Sequence, residues 1–142
     1  MELLHHYTIP LDPRTKKNHM KIAGMGARCP VCKKHARQFI TQGRAHEQYS
    51  IQAPQYLHPR PAKPIDTPVW VKYHFYTQTR RRVDKSNLIA CADDLLVDCG
   101  ILADDNRNII KSTDGTRVLY DKETPRTEIW IYEYREDEDG EL

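Results

Sequence analysis

The stretch from Arg80 to Lys111, RRRVDKSNLIACADDLLVDCGILADDNRNIIK, admits few local structures. Leu88, Cys91, Ala92, Leu95, Leu96 and Cys99 fall at i, i+3, i+4, i+7, i+8 and i+11, which lines one face of a helix. Asp84 or Ser86 is placed to cap its N-terminus, and Gly100 stands where a left-handed C-terminal cap is wanted. Asn87, Asp94 and Asp98 form a second, polar stripe. Beyond the glycine a turn presents Asp104 and Asp105. If the following strand runs beside the preceding one, carboxylates from both ends of the helix meet, flanked by Arg80, Arg81 and Arg82. Hard divalent cations and phosphates are the natural ligands of such a set. The same residues also have a plain structural reading, with Asp84 as a helix cap and Asp104–Asp105 as turn formers.

Strands are expected on either side. Val69, Val71, Tyr73 and Phe75 alternate with Trp70, Lys72, His74 and Tyr76, giving one apolar and one mixed face. Leu3 to Ile9 reads as a strand closed by Pro10 and Pro13, and Glu128 to Tyr134 as the last strand. In that last strand Ile129 and Ile131 face one way, Trp130, Tyr132 and Tyr134 the other. Asn108 to Thr113 reads as a strand, and Asp114-Gly115 as a hairpin turn returning Val118 to Tyr120. A helix is expected from Gly43 to Leu57, interrupted at Pro54. These elements add up to an α+β fold, a mixed or antiparallel sheet with two main helices packed on one face.

At 142 residues, one domain is expected over 1–135, with a cysteine-containing loop at 24–38 and an acidic tail at 136–142. The tail EDEDGEL holds five acids and no base; without it, 22 basic residues face 15 acidic ones. Between Pro13 and His46 there are nine Lys or Arg residues and no acid. That asymmetry favours an anionic partner, nucleic acid first, over a merely solvated basic face. No apolar run is long enough to span a bilayer and the start MELLHHYTIP lacks a signal peptide's apolar core, so no membrane partner and a cytoplasmic location are expected.

Cys29 and Cys32 form a C-P-V-C turn with His35 close behind. Such a turn aims two thiolates at one tetrahedral ion, and structural Zn²⁺ with His35 as a further ligand is one reading. An inert hairpin with two reduced thiols and a redox pair are the others. Cys91 and Cys99 read as small core residues that form no disulfide.

Arg80–Arg82, the run Asp84-Lys85-Ser86-Asn87-Leu88, then Asp94, Gly100 and Asp104–Asp105 together resemble the core pattern of the RusA-type Holliday-junction resolvases. These are phage-derived, Mg²⁺-dependent endonucleases, and the likeness covers about half of the chain. YTIPLDPRTKKN resembles the family's opening strand and the polar segment after it. Ser86 stands where the family has a second aspartate, and Ala90 where it has a lysine. In this respect the chain is similar to prophage members, and the likeness implies that Lys85 would supply the missing cation.

The resemblance implies a RusA-like fold and a homodimer that resolves four-way junctions, or related branched DNA, in recombination and repair. It implies Mg²⁺ held by Asp84 and Asp105, with Asp104 next and Asp94 reaching through water. Asn87 would orient a water or hold Asp84, and Lys85 would stabilise the phosphorus centre or contact a neighbouring phosphate. Arg80, Arg81 and Arg82, with Lys16, Lys17 and Asn18, would contact the DNA backbone. The alternative is a non-catalytic DNA-binding module with a zinc-stabilised basic loop.

Overall fold

A computed structural model of the chain describes residues 2–15 and 47–135. Lys16, Lys17, Asn18, Cys29, Cys32 and His35, with the rest of the 24–38 loop and the tail 136–142, lie outside the described residues.

The described residues form a mixed sheet of five strands and two helices, an α+β fold. The strands are β1 (Leu3–Ile9), β2 (Val69–Thr77), β3 (Ile110–Ser112), β4 (Arg117–Tyr120) and β5 (Arg126–Glu133). Helix α1 is described over 47–52 and tightens into a 3₁₀ turn, Ala53–Tyr56, with Pro54 inside it. Proline has no N–H to continue the α-helical ladder, so the helix ends where the sequence implied. Helix α2 spans Lys85–Asp98.

Strand β2 is the centre of the sheet. It pairs antiparallel with β5, which pairs antiparallel with β1, and on its other edge it pairs parallel with both β3 and β4. Parallel neighbours need a crossover, and α2 supplies it. The alternation along β2 is complete: Val69, Val71, Tyr73, Phe75 and Thr77 are buried, while the residues between them are half-buried. The buried side meets Ile129 and Ile131 of β5, Tyr7 and Ile9 of β1, and Leu88, Ala92 and Leu96 of α2. Each fully buried aliphatic side chain here contributes about 1.5–3 kcal/mol of transfer free energy.

Both ends of α2 are closed as the sequence implied. Asp84 is the N-cap, its Oδ1 accepting from the Ser86 amide at 3.0 Å and the Ser86 hydroxyl at 2.8 Å. Gly100 adopts φ +73°, and the amides of Gly100 and Ile101 donate to Val97 and Leu96 at 3.0 Å each. This is the Schellman arrangement, in which a left-handed glycine lets the chain leave the helix with its last carbonyls satisfied. Ile101 and Leu102 then drop into the core, and Ala103 donates to the Ile65 carbonyl at 2.9 Å.

The hairpin expected at Asp114-Gly115 does not form. β3 runs beside Val69–Trp70 and β4 beside His74–Thr77, both in the direction of β2, so the two are one edge strand interrupted by a loop that lies against Trp70 and Lys72. Long-range bonds set this path. The Trp70 indole donates to the Asp114 carbonyl at 2.8 Å, and Thr116 Oγ1 accepts from the Tyr73 amide at 3.2 Å, standing in for a missing ladder bond. Gly115, at φ +84°, makes the turn, but the chain leaves it in its original direction.

Candidate functional site

The β2–α2 connection holds the arginine run, and its three members have different surroundings. The Arg81 guanidinium donates to both carboxylate oxygens of Asp12, at 3.3 and 3.0 Å, and to the Pro13 carbonyl at 2.6 Å. Asp12 also accepts from the Gln78 amide at 3.0 Å and pairs with Arg14 at 3.4 Å. Arg81 therefore ties the segment after β1 to the end of β2, with its hydrogen-bonding directions turned inward. Arg80 lies over the Tyr120 ring, 4.5 Å from its centroid, and is exposed. Arg82 and Lys85 are exposed as well, and Asn87 is half-buried on the first turn of α2.

Asp104 and Asp105 follow the glycine cap at the other end of the helix. Asp104 Oδ1 accepts from the Asp105 amide at 2.7 Å and Oδ2 from the Asn106 side-chain amide at 3.1 Å. Those bonds, the Asp105 amide first, hold the Asp104 carboxyl below its ordinary range. Asp105 is shifted the other way: loss of solvation, then the adjoining Asp104 carboxylate and the charge of Asp94, push its pKa up.

Asp93 completes the group. The Tyr73 hydroxyl, buried in the middle of β2, donates to Asp93 Oδ1 at 2.5 Å. Burial raises the Asp93 pKa to about 6; the tyrosine bond opposes that rise, and the charges of Asp105 and Asp94 add to it. Burial raises Tyr73 itself well above its ordinary value, with Asp93 and Asp105 adding to the shift.

The fold thus places Asp93, Asp94, Asp104 and Asp105 within electrostatic reach of one another, across the junction of α2 with the turn before β3. Among the described residues none of the four forms an ion pair. Asp84, the expected partner of Asp105, caps the far end of the helix, about 15 Å from Asp94 along the axis at 1.5 Å per residue. Among the described residues no three His, Cys, Asp or Glu side chains lie close enough together to hold a metal ion.

The sequence reading passed over Asp93. A signal was present. A tyrosine on the apolar face of a central strand needs a partner for its hydroxyl, and Asp93 is the acid adjoining Ala92 at the edge of the buried stripe of α2.

Asp94 also borders a groove of about 280 Å³ between α1 and α2, with Arg14 and Arg60 on one side and Asp98, Cys91 and Cys99 on the other. Cys91 and Cys99 are free thiols, only half-buried, so they line the rim of this groove instead of lying deep in the core. Arg60 is anchored there by donating to the Leu57 and Pro54 carbonyls at 2.9 and 2.8 Å.

No family model matches the chain, and no curated protein matches it. Among the described residues no helix is long and apolar enough to cross a membrane.

Proposed function

We propose that the chain is a Mg²⁺-dependent, structure-selective endodeoxyribonuclease that cuts branched DNA, with the four-way junction as its substrate class. The observation that carries this reading is the Asp94–Asp104–Asp105 group: carboxylates without ion pairs among the described residues, two of them raising the proton affinity of the third. Like charges held together by a fold are a standing demand for a cation, and carboxylate oxygens are the donors that Mg²⁺ prefers. Mg²⁺ keeps several waters and needs only one or two carboxylates, so Asp105 with the adjoining Asp104 would hold it, Asp94 reaching it through water. Such an ion supplies charge neutralisation at a phosphodiester and lowers the pKa of a bound water.

The chain's own residues have separable roles in this proposal. Asp93 is held by Tyr73 behind Asp94 and Asp105, where it adds negative potential without facing solvent as they do. Asp84 fixes the start of α2 through Ser86 and sets where Lys85 emerges. Lys85, Arg80 and Arg82 are exposed cations at that end of the helix and would hold the DNA backbone. The segment between Pro13 and His46 adds nine Lys or Arg residues and no acid. A four-way junction carries two-fold symmetry, and paired nicks in it call for two equivalent sites, which a homodimer supplies.

A second reading keeps the DNA and drops the chemistry. It is favoured by the engagement of Asp84 as the helix N-cap, accepting from Ser86 about 15 Å along the helix from Asp94. The test for both is cleavage of a synthetic junction, a fork and a linear duplex side by side, with Mg²⁺ added and withheld. The nuclease reading expects metal-dependent nicks in the branched substrates that disappear in Asp105→Asn while junction binding survives. Binding with no nicks under any metal leaves the DNA-binding module. Metal analysis of the purified protein separately decides whether Cys29, Cys32 and His35 carry Zn²⁺.

A further inference from the structure

The described helices lie on the Tyr73 side of the sheet, and the opposite side carries an unusual set of residues. Along the β2–β5 pair, Trp70 faces Tyr132, Lys72 faces Trp130, His74 faces Glu128, and Tyr76 faces Arg126. β1 adds His6 beside Trp130, and β4 adds Arg117 beside His74. The rings are ordered against one another. Trp70 stacks on Tyr132 with centroids 4.5 Å apart, His6 stacks on Trp130 at 5.0 Å, and His74 meets Trp130 edge-on at 4.8 Å. Lys72 Nζ stands 4.7 Å from the centroid of Trp130 and about 6 Å from those of Trp70 and Tyr132. The aromatic residues of this face on β2 and β5 are all half-buried, so each keeps part of its surface open.

A strand face that serves only to contact water is not built this way. Two tryptophans and two tyrosines on neighbouring strands stay half-buried, each forgoing part of its transfer free energy. The charge on the face narrows the choice of occupant. Glu128 is paired with Arg126 and approached by His6, whereas among the described residues Lys72 and Arg117 form no ion pair. A second copy seated here about a two-fold axis would crowd these cations against their own images, and self-interfaces are depleted in lysine. A strand of unpaired nucleotides meets both demands at once: its bases present flat faces to the rings, and its phosphates accept the cations.

We propose that this open sheet face is a binding platform for single-stranded DNA, with Trp130 and Trp70 as the stacking surfaces and Lys72 and Arg117 as the phosphate contacts. Only the choice of DNA rests on the function proposed above; the platform itself is remote from the acidic group on the helix side.

The test is titration of the full chain, without added metal, with an oligothymidylate of about twenty nucleotides, long enough to cover one platform. Anisotropy of the labelled strand and quenching of tryptophan emission are read together. The expected results are quenching in the wild type and binding weakened about five- to one-hundred-fold in Trp130→Ala, the range that base stacking spans. Lys72→Gln, which leaves the ring packing in place, should bind a few-fold more weakly and lose about one from the slope of log affinity against log salt. Unquenched emission with unchanged binding in both variants overturns the proposal. So does a sedimentation result in which Trp130→Ala converts a dimer into a monomer, because the face is then a self-interface. Tighter binding of oligouridylate than of oligothymidylate overturns the assignment to DNA. Junction nicking with Mg²⁺ is measured on the same preparations: lost nicking in a protein that still binds the strand counts against the nuclease alone, and the reverse pattern against the platform alone.

Discussion

The hydroxyl of Tyr73 donates to Asp93 Oδ1 at 2.5 Å, joining the middle of the central strand to the middle of the crossover helix. The contact has two consequences. It fixes the rotation of α2 about its axis, and so decides that Asp94 faces the groove. It also keeps a carboxyl group in a place where charge is costly, because burial, with Asp105 and Asp94 nearby, raises its pKa to about 6.

That shift makes a statement about stability against pH. A carboxyl whose folded pKa lies above its unfolded value binds more protons when folded, so its contribution is favourable at low pH and is lost as pH rises through the interval from about 4 to about 6. The two-unit displacement corresponds to about 2–3 kcal/mol across the interval. Asp93→Asn keeps an acceptor for Tyr73 and removes the titration. Its urea-unfolding free energy should be about 1–2 kcal/mol above wild type at pH 8 and indistinguishable from it near pH 4. A parallel displacement at every pH would show that Asp93 does not titrate in this window.

Tyr73→Phe acts on the other partner. The ring stays packed, but Asp93 loses the bond that opposes its rise in pKa, and a buried polar atom is left unmet. A loss of about 1–3 kcal/mol is expected at neutral pH, where the carboxyl is charged. The loss should shrink in acid as Asp93 takes up a proton. Denaturant unfolding at pH 4.5 and 7.5 reads both values.

The arginine run offers a contrast within three residues. Arg81 is held by Asp12, whose side chain is 13% exposed, and by the Pro13 carbonyl, so Arg81→Ala removes charge-assisted bonds and leaves Asp12 to the Gln78 amide and Arg14. The expected cost is about 2–3 kcal/mol, read as a lower melting temperature. Arg82→Ala lies at an exposed position and should stay within about 0.5 kcal/mol of wild type. It should weaken junction binding and flatten its salt dependence instead. Equal loss of stability in the two variants would contradict the separate roles.

How far the sequence foretold the molecule can be judged on the same residues. The alternation of Val69–Phe75 and the spacing from Leu88 to Cys99 identify the central strand and the crossover helix because burial on one face writes a period into the chain. Asp84 and Gly100 identify the helix ends for equally local reasons. Asp114-Gly115 misled, because a turn pair specifies a bend and not the direction of the chain after it. That direction depends on Trp70 and Thr116, which bond across more than forty residues. Arg80, Arg81 and Arg82 are indistinguishable as letters; only the fold brings Asp12 to the middle one. Asp84 and Asp105 looked like natural partners in sequence, yet Asp105 gains its electrostatic company from Asp93, Asp94 and Asp104.

Whether that company holds a metal can be settled without any nuclease assay. In the ion-free protein Asp105 titrates above its ordinary range, with burial, Asp104 and Asp94 as the causes, so Asp94→Asn should lower its pKa toward that of an isolated aspartate. Carboxyl-carbon NMR titration reads this directly. A divalent ion seated on the same oxygens competes with protons, so adding Mg²⁺ should move the Asp105 titration to lower pH and raise the melting temperature at pH 7.5. In Asp105→Asn the thermal gain should vanish, while the parallel change at Asp98, on the groove side, should leave it intact. An Asp105 titration indifferent to millimolar Mg²⁺ would mean that the acidic group repels without recruiting, and the hydrolytic reading would lose its centre.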